Sequence, residues 1–82
     1  MMACLFAGCT GKRHQHEVSC TWHWNTMHQH ERHELHRSLL CIANAAVDGN
    51  QARFDIARET TYQIMSRIHL RFERENLHAP VL

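Results

Sequence analysis

The chain has 82 residues, 44% of them hydrophobic, and nine Lys+Arg against eight Asp+Glu for a net charge of +1. That is one small domain at most, too apolar for wholesale disorder and far from the basic excess of a protein that grips duplex DNA through its phosphates. Scaffolds this small usually depend on a metal, on disulfides or on a second copy of themselves.

Residues 1–18 carry two of the three glycines and show no helical periodicity. Gly8-Cys9-Thr10-Gly11-Lys12 is turn chemistry, with glycines on either side of a cysteine. His14-Gln15-His16-Glu17-Val18 reads as a short strand or an extended return. Phe6-Ala7-Gly8-Cys9 looks like a lipoprotein cleavage site, yet no basic n-region and no h-region of about 7–15 residues goes with it. It is therefore not read as a signal peptide, and the chain is expected in the cytoplasm. In a reducing compartment the cysteines read as thiols or metal ligands.

From Ser19 the pattern turns helical. At about 100° per residue, Cys20, Trp24, His28, Glu31, Leu35, Leu39, Ile42 and Ala46 fall on one core-facing stripe. Two starts compete: Ser19 as an N-cap before Cys20, and Thr26 with Gln29 as a capping box, which a break near Asn25 would reconcile. Gly49 suits the C′ position of this helix and Asn50 the N-cap of the next.

The second helix is expected from about Gln51 to Leu77, stopped by Pro80. Phe54, Ala57, Thr61, Ile64, Met65, Ile68 and Phe72 share a face; Arg67, Arg71 and Arg74 sit late, where the helix dipole favours them. Two long helices joined by so short a turn form an antiparallel hairpin. Leu39 and Ile68 are its expected core. A weaker second stripe, Ile56, Gln63, Leu70 and Leu77, is read as a partner-binding face, through which the hairpin would form a homodimer.

The chemistry is concentrated at the front. Seven of nine histidines and three of four cysteines lie within the first 36 residues. Thiolate and imidazole are the ligands of Zn²⁺ and similar borderline-soft ions. Cys4-x4-Cys9 with Gly11 beyond it looks like a loosened zinc knuckle, and Cys20-x2-His23 puts two more ligands on one side of a helix's first turn. A knuckle followed by such a pair resembles the treble-clef class of zinc sites over residues 4–23. Cys4, Cys9, Cys20 and His23 are thus the candidate ligands of one Zn²⁺ per chain. His28 stands in reserve, because Cys4, Cys9, His23 and His28 come one residue from the two-Cys, two-His finger spacing.

His30, His33 and His36 step around the helix and read as a solvated face; Cys41, at the stripe's edge, reads as a small hydrophobe. His33-Glu34-Leu35-His36 is one residue short of the metalloprotease motif, and neither a catalytic triad nor a phosphate loop is visible. The expected fold class is all-α: a treble-clef-like zinc-binding segment over 1–24 and a helical hairpin over 25–82, in one domain. The expected function is non-enzymatic, a zinc-stabilised adaptor or regulatory protein, an inhibitor for instance, acting on another protein. Two alternatives remain, a zinc-finger nucleic-acid binder using Lys12, Arg13, His14, Trp22 and Trp24, and a histidine-rich metal carrier.

Overall fold

The computed structural model describes residues 2–6, 8–14 and 17–79. In order they form β1 (Met2–Ala3), β2 (Lys12–Arg13), α1 (Thr21–Thr26), α2 (Gln29–Val47) and α3 (Gln51–Arg74). His16 and Pro80, read above as part of a short strand or extended return and as a helix stop, lie outside the described residues.

The architecture is mostly helical, with α2 and α3 packed as an antiparallel pair. Their connection is built from chain chemistry. Gly49 takes φ +67 after the C-cap Asp48, its N–H donates to the Ala46 carbonyl, and the Asn50 N–H donates to the Ala45 carbonyl. This double bond pattern closes a helix with a left-handed residue, the conformation glycine adopts without Cβ strain. Asn50 then caps α3, its side chain accepting from the Arg53 N–H at 3.1 Å. One tripeptide ends one helix and starts the next, as its sequence predicts.

α3 ends at Arg74, three residues before the expected stop, in the same motif. Asn76 sits at φ +56, and the Leu77 N–H donates to the Phe72 carbonyl at 2.8 Å. The reversal folds Leu77 back onto the core, where it is partly buried. Leu77 therefore does not belong to an outer stripe. Ile56 and Leu70 do remain on the surface, at 68% and 58% exposure, and Gln63 is exposed beside them.

The break between the first two helices falls at Met27–His28, a little beyond Asn25, and neither expected cap is used. Thr26 closes α1, its hydroxyl donating to the Trp22 carbonyl, and the Ser19 hydroxyl donates to the Cys20 carbonyl. Cys20 and His28 are the N-caps, and the Glu31 carboxylate accepts the His28 N–H at 2.7 Å. Two non-helical residues rotate the wheel of α2 relative to α1. α2 buries Glu31 and Leu35 of the expected stripe together with Ser38 and Ala45, whereas the N-cap His28 and Ala46, near the end of α2, are exposed. Cys41 is exposed too, not tucked at the edge of the core.

α3 buries Ala57, Thr61, Ile64, Met65, Ile68 and Phe72, all on the expected face. Leu35 is fully enclosed and Ile68 only 3% exposed, whereas Leu39 is partly buried. Leu35→Ala and Ile68→Ala are each expected to cost roughly 2–5 kcal/mol in denaturant unfolding, because neither site can collapse around the lost side chain. Leu39→Ala should cost less than either, and Ile56→Ala no more than about 0.5 kcal/mol.

The N-terminal segment packs on the open end of this hairpin. Of the stretch read as a strand, the described residues His14, Glu17 and Val18 are not in one; β1 and β2 pair, Met2 opposite Arg13 and Ala3 opposite Lys12, and the Cys4 N–H extends the ladder to the Gly11 carbonyl. Arg13 fastens the far side, donating to the carbonyls of Ala3 at 2.9 Å and Glu17 at 2.8 Å. Phe6, Val18, Cys20 and Met27 join Leu35, Ile64, Met65, Ile68 and Phe72 in one core.

Candidate metal centre

The β1–β2 ladder brings Cys4 and Gly11 together, and the loop it closes carries Cys9 back over them. The Cys9 N–H donates to the Phe6 carbonyl at 3.2 Å, with Gly8 at φ +74 just before it. Glycine adopts that left-handed φ without the strain a Cβ would bring. The second pair comes from α1, where Cys20 is the N-cap and His23 the third helical residue. That spacing turns both side chains to one side of the helix start.

Cys4, Cys9, Cys20 and His23 converge, their ligand atoms all within 4.8 Å of one another. Cys20 Sγ lies 3.2 Å and Cys4 Sγ 3.7 Å from His23 Nδ1, and Cys9 Sγ lies 3.8 Å from Cys20 Sγ. Cys4, Cys20 and His23 are buried; Cys9 is half-buried. This is the same set that spacing alone selects. His28 is not part of it, because as the exposed cap of α2 it faces away into solvent, so the finger-type pairing is not assembled. His30, His33 and His36 are likewise exposed and outside the cluster.

The electrostatics suit a cation. Burial pushes the Cys9 thiol up to about 11, against the Gly11 N–H, which favours its thiolate; hydrogen bonding to Cys4 and Cys20 adds to the rise. Burial, and secondarily the charge of His69, pulls the His23 imidazole below its ordinary value. A neutral imidazole with its proton on Nε2 offers the Nδ1 lone pair to a metal, and a cation is what turns crowded thiols into thiolates.

Gly11 is the residue that spacing could not interpret fully. Its N–H donates to Cys9 Sγ at 3.3 Å, and a Cβ there would lie 2.9 Å from Cys20 Cβ and 3.1 Å from Cys20 Sγ. Gly11→Ala must push a thiol aside. It is expected to weaken metal binding at least tenfold in competition against a chromogenic chelator. Gly8→Ala has open space around its Cβ and should bring only backbone strain of about 1–2 kcal/mol, leaving affinity nearly intact.

The imidazole is held by aromatic rings from three elements. Phe6 stacks on His23 with centroids 4.5 Å apart, Phe72 of α3 stacks at 5.5 Å, and Trp22 meets His23 edge-on at 5.0 Å. Phe6, between two ligands, had given no sign of this role. Trp22 also meets Phe72 edge-on at 5.8 Å, and both tryptophans pack against the core at the junction of the two parts.

A second polar cluster lies at the same end. Arg71 of α3 donates through Nε and Nη2 to both oxygens of Glu31, at 2.7 and 2.6 Å, and through Nη1 to Glu75 at 2.7 Å. Burial raises the Glu31 carboxyl, but its hydrogen bonds to Arg71 and the His28 N–H and the charge of Arg71 outweigh that and hold it below its ordinary value. Glu31, chiefly, and then Glu75 raise the guanidinium, which also lies 4.9 Å over the Phe72 ring. Sequence reading put Glu31 on the core stripe but missed its partner, although Arg71 lies seven residues after Ile64 and so on the core face of α3.

No protein-family model matches the chain, and neither a curated protein nor a solved structure matches it. Among the described residues, no helix is long and apolar enough to cross a membrane.

Proposed function

We propose that this chain is a small non-enzymatic binding protein, a regulator or adaptor, whose N-terminal segment is held by one structural Zn²⁺ on Cys4, Cys9, Cys20 and His23. The carrying observation is the geometry of those four ligand atoms. Tetrahedral Zn²⁺, with Zn–S near 2.3 Å and Zn–N near 2.0–2.1 Å, requires S···S edges of about 3.8 Å and S···N edges of about 3.6 Å. Three of the six separations, 3.8, 3.7 and 3.2 Å, come within half an ångström of those values, and all six fall within 4.8 Å.

Three thiolates and an imidazole fill all four positions of a zinc ion, so such a site supports structure and offers no open position for substrate. A knuckle at the end of a two-stranded ladder, followed by a ligand pair at a helix start, supports the treble-clef type. The polar second layer is modest: the Gly11 N–H to Cys9, and the aromatic rings that fix His23. A protein partner is favoured over nucleic acid because Arg13 is committed to backbone carbonyls and Trp22 and Trp24 pack into the junction.

The test is elemental analysis of untagged protein with thiol counting. One zinc per chain, with Cys41 alone reactive toward a thiol reagent in the loaded protein, is the expected result. Several exchangeable ions per chain would indicate a carrier, and a metal-free, folded protein with four reactive thiols would end the proposal.

A further inference from the structure

We propose that the groove between α2 and α3 binds an acidic amphipathic helix of a partner protein. This rests on the binding-protein reading above and is independent of the metal. The groove, 460 Å³ in volume, has a floor of small side chains, Ser38 and Cys41 from α2 facing Ala57 and Thr60 from α3, with Ile64 and Ile56 along it. Low ridges on both helices leave a furrow that a third helix could fill with larger apolar groups, as ridges fill grooves in helix packing. On α3 it extends from Arg53 to Arg67, about 21 Å at 1.5 Å per residue, or roughly four turns of a partner helix. Ile56, at 68% exposure, stands at its edge.

Charge selects the occupant. Arg37, Arg53 and Arg67 line the groove against Glu34 as its one carboxylate, in a chain whose net charge is only +1. Glu34 meets Arg67 across the rim at 3.0 Å, and Arg53 makes a 3.4 Å surface pair with Asp48. Both are exposed pairs of small worth that an incoming carboxylate can share. A second copy docked groove to groove would set three arginines against three, so self-association is disfavoured here. An apolar ridge flanked by Glu or Asp complements both the floor and the rim.

The test uses two fluorescein-labelled 16-residue helical peptides with the same leucine ridge, one flanked by glutamates and one by lysines. Each is titrated by anisotropy with the full, metal-loaded chain. The glutamate peptide is expected to bind at least tenfold more tightly than the lysine peptide, and to lose at least tenfold with Arg37→Glu or Ile56→Asp. Both positions are solvent-exposed, so these variants should keep the wild-type melting temperature; Val47→Glu, exposed and away from the groove lining, should bind as wild type. Equal affinity for both peptides, no binding, or binding untouched by both groove variants overturns the assignment. Binding lost instead with Leu70→Glu would overturn the groove yet leave the binding-protein reading standing on another face.

Discussion

Chelating the proposed Zn²⁺ is expected to lower the melting temperature by 10 °C or more and to unfold the segment before α2. That segment has a two-residue ladder, a six-residue helix and a few turn hydrogen bonds. Helices so short are not stable alone. Besides Phe6, Val18 and Met27 in the shared core, what holds it is convergence on the cluster: Cys4 extends the ladder, Cys9 closes the loop and Cys20 is the N-cap of α1. Without a cation those thiols are buried weak hydrogen-bonding groups. In zinc-finger peptides structural Zn²⁺ supplies about 10–16 kcal/mol of apparent binding energy that is also folding energy.

The loss should reach the hairpin, because the His23 ring lies parallel to both Phe6 and Phe72 of α3, and those two rings also stack on each other at 6.3 Å. Cys20→Ser and His23→Asn should resemble the chelated protein in thermal melts and helical circular dichroism. Chelated protein that melts at the original temperature with full helicity would show that the cluster is four thiols and imidazole packed as an ordinary core.

Sequence and structure agree where chemistry is local. Asp48-Gly49-Asn50 announces its turn because glycine's left-handed φ and the asparagine cap act within one helical turn. The four converging residues are legible for a similar reason: pairs separated by four and two residues are compatible with few arrangements, and each pair brings its own turn or helix start. What pairs with what across the fold is less legible. Phe6 stacking on His23, Gly11 touching Cys20 and Arg71 meeting Glu31 join residues 9 to 40 positions apart, and no local period records them.

The errors have local causes as well. A single wheel drawn from Cys20 to Ala46 ignores the two-residue break at Met27–His28, so it turns His28 inward when it faces out. Leu77, counted as helical, lies beyond the Asn76 reversal and returns to the core. Both follow from continuing a 3.6-residue period past a real helix end. The partner face inferred from that period accordingly loses one of its four members.

Glu31 and Arg71 form the interaction whose disruption should cost the hairpin most. Their side chains are 9% and 14% exposed, and the contact is bidentate. Removing one member of a buried pair strands the other, at roughly 3–5 kcal/mol. Arg71→Ala should reach that range, since Glu31 would keep only the His28 N–H in an apolar setting. Glu31→Ala should cost less, because Arg71 retains Glu75 at 2.7 Å. Replacing both together, as in Glu31→Met with Arg71→Leu, should recover much of the loss, as apolar substitutes for buried pairs often do.

The same pair sets an acid limb. The Glu31 carboxyl is held below its ordinary value in the folded protein, so the unfolded chain takes up its proton first as pH falls. Its contribution is therefore complete at neutral pH, begins to fade near the ordinary glutamate value of about 4.3, and is gone below the folded value. The thiols and imidazole proposed to hold zinc also protonate on acidification, so the comparison must be between proteins that share them. Urea midpoints of wild type and Glu31→Gln, prepared with the same metal content, should differ most at pH 7 and converge toward pH 3. A constant difference across that range would mean that Glu31 contributes shape to the junction and no charge.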